Sequence, residues 1–214
     1  MNLHLREEFE KLWNRCNLKG NYITSFNSWL DIHSDVNRYY HNWKHIKHCL
    51  EELEEFYLFT NEINQSDELR FAIWFHDIVY EIESNRNEYY SAITFMDFCI
   101  SIGLYDFNFY NTTCHYISCT NLNKNFIPYS YNEKLICDID LSILGSDLVT
   151  FKEYEDNIRR EYKSVPDNVF NYKRKEILKS FLNQNRIFKT DYFYNKYESK
   201  ARKNLENSII NLTF

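Results

Sequence analysis

The prediction of the fold starts from one stretch of the sequence, Ala72-Ile73-Trp74-Phe75-His76-Asp77-Ile78-Val79-Tyr80. It sets a histidine and an aspartate side by side in an otherwise apolar run. Such a run could form a strand, but its length and its neighbours favour a buried helix. Burying two ionisable side chains without compensation costs on the order of several kcal/mol, and a divalent cation would offset that cost. Taken alone, the pair is explained more simply as ordinary helix sequence.

Helical patterns continue on both sides of this stretch. Ser66-Asp67-Glu68-Leu69 is a typical helix start directly before it. Glycine and proline number only 3 and 2, so long helices joined by polar loops are favoured over a fold with many turns. We therefore predict an all-α protein, a compact multi-helix bundle with additional C-terminal helices. Ten helices are expected, near residues 9–16, 22–33, 41–58, 66–75, 88–102, 107–119, 132–144, 147–163, 167–184 and 192–210.

Length and charge narrow the class of protein further. A chain of 214 residues can bury a core without disulfide bonds, and a single domain over residues 1–214 is expected. The net charge of −6 gives no overall basic field, so nucleic acid is not an expected partner. Two local basic runs, at residues 159–163 and 173–175, are interpreted as solvated helix faces.

The cysteines and the N-terminus indicate a cellular compartment. None of the six cysteines belongs to a C-x-x-C pair and most have apolar neighbours, which is typical of reduced, mostly buried thiols. The charged N-terminal segment is unlike a signal peptide, and no stretch reaches 18 uncharged apolar residues. A cytoplasmic protein without membrane contact is therefore expected.

A second cluster of ionisable residues lies in Tyr40-His41-Asn42-Trp43-Lys44-His45. His41 and His45 are four residues apart, so on a helix both would point the same way. They could serve one metal, or one could bind metal while the other transfers protons. A structural or surface role for both also fits.

A third cluster, Cys137-Asp138-Ile139-Asp140-Leu141, places two carboxylates two residues apart in an apolar helix. Only one of them can easily face a common centre, and the other is expected to cap, pair or support it. The three clusters together supply two histidines and two aspartates. This nitrogen and oxygen set suits Mn²⁺, Fe²⁺, Mg²⁺ or Zn²⁺.

These clusters resemble the HD superfamily of metal-dependent phosphohydrolases, in which a histidine, a later His-Asp pair and a later aspartate lie on helices. The corresponding residues are His45, His76, Asp77 and Asp140. The chain is also similar to small bacterial HD proteins in four blocks: YHN-x-x-H at 40–45, WFHD-x-x-Y at 74–80, NE-x-x-S at 87–91 and D-x-DLS-x-LG at 138–145. The resemblance covers about residues 35–150, and residues 151–214 form a helical extension that matches nothing.

The resemblance implies an HD-type bundle that hydrolyses a phosphate ester or anhydride of a small molecule, with a nucleotide as the expected substrate and one or two divalent ions as cofactor. The YHN block is also similar to that of cyclic-nucleotide phosphodiesterases. That similarity makes His41 the general acid and His45 a metal ligand, and it assigns the ligand aspartate to Asp140 rather than Asp138. The purine-clamp elements of those enzymes are not recognisable here.

Four further roles accompany this assignment. Asp77 would bridge to or orient a water molecule besides binding metal, and Glu88 would activate water or hold a second ion. Lys44 and His115 are candidates for contacts with substrate phosphate. Each of the last three also fits a plain explanation: a carboxylate at a helix N-terminus for Glu88, a solvated lysine for Lys44, and a core or surface histidine for His115.

Alternatives to an enzyme stay open at this point. A catalytically inactive module that binds metal and a nucleotide as a sensor would need the same ligands. A structural helical protein with coincidental His-Asp pairs is the third possibility. The C-terminal helices could cover the site or form a homodimer interface. His4 and His33 are interpreted as surface residues, and His48 as structural.

Overall fold

A computed structural model of the chain describes residues 3–61, 65–82, 84–121 and 127–212. Throughout these ranges the secondary structure is helical, without a β-strand, so the all-α prediction is confirmed. The α-helices are α1 Leu3–Arg15, α2 Tyr22–Ile32, α3 Trp43–Thr60, α4 Asp67–Phe75, α5 Asn87–Ser101, α6 Phe107–Cys119, α7 Tyr131–Asp140, α8 Leu148–Glu161, α9 Asp167–Leu182 and α10 Asp191–Asn211. A 3₁₀ helix, Leu141–Gly145, follows α7.

The chain divides into two compact units, Met1–Ile127 and Pro128–Phe214. The first contains α1 to α6, and the second contains the 3₁₀ helix and α7 to α10. The expected core at about residues 35–150 and the extension over 151–214 stay predictions.

Aromatic side chains fill the core of the first unit. The ring of Trp29 lies edge-on to Phe9, Phe75 and Phe98, with centroid distances of 4.6, 4.4 and 4.8 Å. Each such pair is worth roughly 0.5–1.5 kcal/mol beyond the burial of its area. Since these four rings come from α2, α1, α4 and α5, helix α4, which ends just before His76, is anchored on several sides.

Side chains that accept backbone hydrogen bonds fix where the helices begin. Ser66 caps α4 by accepting a hydrogen bond from the amide of Leu69 at 3.2 Å, as its sequence predicts. Asn42 caps α3 in the same way through the amide of Lys44 at 2.9 Å. Consequently α3 begins at Trp43, and the prediction that His41 and His45 share a helix is wrong, because the cap leaves His41 outside it.

The second unit is built around the end of α7. Helix α10 packs against the 3₁₀ helix. There the side-chain amide of Asn204 donates to the carbonyls of Leu144 and Ser146 at 2.9 and 3.0 Å. A Cβ at Gly145 would collide with the ring of Tyr197, so this close approach requires glycine.

The cysteine thiols and the apolar character of the helices bear on two of the sequence predictions. None of the six cysteines, all of which lie in described residues, forms a disulfide bond; three are buried and three are half-buried. Among the helices described, none has both the length and the apolar character needed to cross a bilayer.

Candidate metal centre

Helix α4 ends at Phe75 and leaves His76 and Asp77 in a turn at its C-terminus. Amides of the turn donate hydrogen bonds to two carbonyls of the helix. Ala72 accepts from the amide of His76 at 2.8 Å, and Phe75 accepts from the amide of Ile78 at 3.0 Å. Because the last carbonyls of a helix carry partial negative charge, this end of α4 favours a nearby cation.

The ring of His76 has one assigned tautomer. Its Nδ1 lies 2.9 Å from the carbonyl oxygen of Ile73, and a carbonyl can only accept, so Nδ1 carries the proton. In the neutral ring Nε2 therefore holds a lone pair. Fixing a ring in this way through its other nitrogen is common among metal-binding histidines.

Three potential ligand atoms of the first unit converge at this point. Nε2 of His45 lies 3.1 Å from Nε2 of His76 and 3.5 Å from Oδ2 of Asp77, and the last two atoms are 3.1 Å apart. Ligand atoms about 2.0–2.2 Å from one cation are roughly 3.0–3.5 Å from each other. The spacing of the three atoms fits that requirement.

The carboxylate of Asp77 is the least satisfied member of the group. Its Oδ2 is buried and, in the part of the chain described, accepts no hydrogen bond. Burial would raise the pKa of Asp77, but the imidazoles of His76, His41 and His45 hold it well below its usual range. A buried, charged oxygen that faces two imidazole nitrogens without a hydrogen bond could serve as a metal ligand.

Asp140 is the last residue of α7, and it is half-buried. His45, His76 and Asp140 could each supply one ligand atom to a metal ion.

Asp138 is fully buried and has a different task from Asp140. Its two oxygens accept from the amides of Lys189 and Thr190 and from the hydroxyl of Thr190, each at 2.7 Å. Burial raises its pKa to about 6, although those three donors favour the charged form. Asp138 thus joins α7 to the start of α10.

His41 lies beside the three converging atoms, although it is outside α3. Its ring centre is 6.1 Å from that of His45. The ring of Tyr80 stacks on it at 4.0 Å with an angle of 23° between the planes. Asn42 holds the preceding loop, because its side-chain amide donates to the carbonyls of Arg38 and Tyr39 at 3.1 and 2.8 Å. The asparagine of the YHN block therefore has a structural role at the start of α3.

The NE-x-x-S block fixes the chain that follows Asp77. The hydroxyl of Ser91 bonds both the amide and the carbonyl of Val79, at 3.1 and 3.3 Å. The side chain of Asn87 makes the same kind of double contact with the backbone of Glu81, at 3.1 and 2.9 Å. Two residues of α5 thus hold the loop that carries Tyr80.

Sequence reasoning missed two residues here: Arg38, which contacts the turn after α4, and His33, which contacts the end of α4. The guanidinium of Arg38 donates to the carbonyls of Asp77 at 2.5 Å, Ile78 at 2.9 Å and His41 at 3.4 Å. His33, expected at the surface, is 1% exposed, so that expectation is wrong. No sequence pattern marks hydrogen bonds to backbone some 40 residues away.

His33 contacts both the helix end and Arg38. Its Nε2 donates to the carbonyl of Trp74 at 3.3 Å, which leaves Nδ1 to accept from Arg38 at 3.5 Å. Burial and then the charge of Arg38 lower the pKa of His33 to about 4, so its ring is neutral at pH 7.

The remaining candidates lie on three other helices. Glu88 is in the first turn of α5 and accepts a hydrogen bond from the side chain of Asn121 at 2.5 Å. Lys44 is exposed in the first turn of α3, and His115 is exposed on α6 with its ring 6.2 Å from that of Tyr116. His4 is exposed, as expected.

Comparisons of the chain with models of protein families, with curated proteins and with solved structures found no match.

Proposed function

We propose that this protein is a metal-dependent hydrolase of phosphate esters or anhydrides, related to the HD superfamily, with a nucleotide as its substrate. The convergence of His45, His76 and Asp77 at the buried end of α4 carries the proposal. The resemblance of the four sequence blocks supplies the reaction class.

The donor set indicates how a cation would be held. His45, His76 and Asp77 are the proposed ligands from the first unit, and Asp140 is proposed as the fourth. Mixed nitrogen and oxygen ligands suit Mn²⁺, Fe²⁺, Mg²⁺ or Zn²⁺. A divalent cation bound there would lower the pKa of a water molecule and draw charge from a phosphoryl oxygen.

The side chains around these ligands have distinct proposed roles. Asp77, held in its charged form, would accept a hydrogen bond from the attacking water and so orient it. His41 would donate a proton to the leaving oxygen, a contribution worth about 10²–10⁴ in rate. The stacked ring of Tyr80 would restrict His41 to the orientation from which it can donate.

Contacts with the substrate are proposed at the exposed residues. Lys44 lies exposed in the first turn of α3, where its positive side chain would favour phosphate. His115 is proposed as a second phosphate contact. Glu88, positioned by Asn121, is proposed to activate water or to hold a second ion.

The test is metal analysis of the purified protein beside a His76→Ala, Asp77→Ala double variant. A His4→Ala, Asp31→Ala double variant, which removes an exposed histidine and an exposed aspartate, is the matched control. Each protein is then screened with added Mn²⁺ for phosphate release from nucleotides and simple phosphate esters. Stoichiometric metal and turnover in the wild type and the control, but not in the site variant, are expected.

Other outcomes have definite meanings. Metal without turnover on any phosphorylated compound would favour the hypothesis of a sensor, in which the same residues bind metal but do not catalyse a reaction. No metal in the wild type, even with added Mn²⁺ or Fe²⁺, would refute the proposed centre.

A further inference from the structure

One guanidinium contacts the backbone on both sides of the candidate centre. Arg38 donates to the carbonyl of His41, the proposed proton donor, and to the carbonyls of Asp77 and Ile78 in the ligand turn. The two segments are more than 35 residues apart in sequence. A single side chain therefore joins the loop that holds the proposed proton donor to the turn that holds a proposed ligand.

We propose that Arg38 is a positioning residue of the metal centre, and that His33 orients Arg38 for this task. The inference rests on the proposed function, since it assigns a role in holding the proposed ligands. Arg38 acts through the backbone: it keeps the Asp77 carboxylate at the spacing from His45 and His76 that a cation requires. His33 accepts from the guanidinium at Nδ1 while Nε2 is fixed on the carbonyl of Trp74.

The chemistry of the contact requires arginine. In the part of the chain described, the guanidinium contacts three carbonyl oxygens and the ring nitrogen of His33, with Nη1 shared among His33, His41 and Asp77. A planar guanidinium presents five N–H groups in a fixed fork, whereas an ammonium group has three donors in a tetrahedral arrangement. Lysine at position 38 would keep the charge. Its ammonium group lacks the two parallel N–H donors that the guanidinium directs at the carbonyls of Asp77 and Ile78.

A substrate contact by Arg38 is the main competing explanation, and it predicts different data. An arginine that binds substrate phosphate would change KM and leave the affinity for metal unchanged. An arginine that positions ligands would change the affinity for metal in the absence of substrate. Mutation of groups that orient metal ligands typically weakens metal binding by roughly 10–100-fold.

The experiment compares Arg38→Lys with Arg70→Lys. Arg70 is a buried arginine of the first unit, whereas Arg38 is half-buried, and Arg70 bonds the side chains of Glu54 and Gln65 at 2.6 and 2.8 Å. Co²⁺ affinity and the Co²⁺ absorption spectrum are measured by titration without substrate, and Tm is measured for the metal-free proteins. We expect about 10–100-fold weaker binding and an altered spectrum for Arg38→Lys, and a lowered Tm with normal Co²⁺ binding for Arg70→Lys.

A second measurement needs no metal. The amide of Ile78 bonds Phe75, and the amide of Val79 bonds Ser91, so their hydrogen exchange reports the closure of the turn. In metal-free Arg38→Lys both amides should exchange at least about tenfold faster, and in Arg70→Lys they should not.

If the wild type bound no Co²⁺, the proposed centre would fail, and exchange would still decide the role of Arg38. Unchanged exchange and unchanged Co²⁺ affinity in Arg38→Lys would overturn the inference, as would a change confined to KM.

Discussion

The ring of Tyr80 stacks on the ring of His41, with their centres 4.0 Å apart. This contact joins the loop after the His-Asp turn to the residue proposed as proton donor. Tyr80→Leu removes the aromatic face, and we expect kcat to fall about tenfold because His41 gains orientations that cannot donate. Tyr80→Phe keeps the ring and should lose less. The check is steady-state kinetics on the substrate found by phosphate release, with metal content measured alongside. Equal losses in both variants would contradict the role of stacking.

Substitutions of His41 and of His45 should have different effects on Mn²⁺ binding. His41→Gln is expected to lower kcat by about 10²–10⁴ while the protein still binds Mn²⁺, since only the proton donor is lost. His45→Gln is expected to lose Mn²⁺ together with activity. Metal titration and kinetics on both variants decide the matter, and loss of metal in His41→Gln would make His41 a ligand instead.

The two aspartates near the end of α7 should respond differently to substitution. Asp140→Asn is expected to weaken Mn²⁺ binding by more than the roughly 10–100-fold typical of residues that orient ligands, because a proposed ligand itself is lost. Asp138→Ala leaves two amides and one hydroxyl without their acceptor, so the free energy of unfolding should fall by about 2–4 kcal/mol. Urea unfolding of the metal-free proteins measures the second effect. Asp140→Asn with normal Mn²⁺ affinity would remove Asp140 from the ligand set.

His33 predicts a pH dependence of stability. Its pKa is about 4 in the folded protein and about 6.5 in an unfolded chain, so between these values the unfolded chain binds the extra proton. The free energy of unfolding should therefore fall as the pH drops from 6.5 towards 4, by about 3 kcal/mol in total from this residue. In His33→Gln this part of the slope should disappear. Urea unfolding at several pH values, with a chelator present throughout, gives the comparison, and parallel slopes in the two proteins would refute the prediction.

The helices were predictable because their signals are local. Ser66 before an apolar run and Gly145 at the end of a helical pattern mark boundaries within a few residues. His41 was placed wrongly on α3 because a histidine four residues before another matches helical spacing, whereas the cap at Asn42 decides the start of the helix.

The candidate site was predictable only in part. His76 and Asp77 stand out because they are ionisable residues in an apolar run, and such exceptions are visible in one sequence. Arg38 and His33 act on carbonyl groups distant in sequence, and any residue type can supply a carbonyl. For that reason no pattern of side chains pointed to them.

The close approach of His45, His76 and Asp77 has a thermodynamic consequence. Two imidazole nitrogens and a charged carboxylate oxygen lie within 3.1–3.5 Å of one another at a buried helix end, and a bound cation would offset the free energy that their removal from water costs. A cation that binds only the folded chain should raise the free energy of unfolding by about 2.7 kcal/mol at a concentration 100 times its Kd. The resistance of the protein to heat would then follow the supply of free metal ions around it.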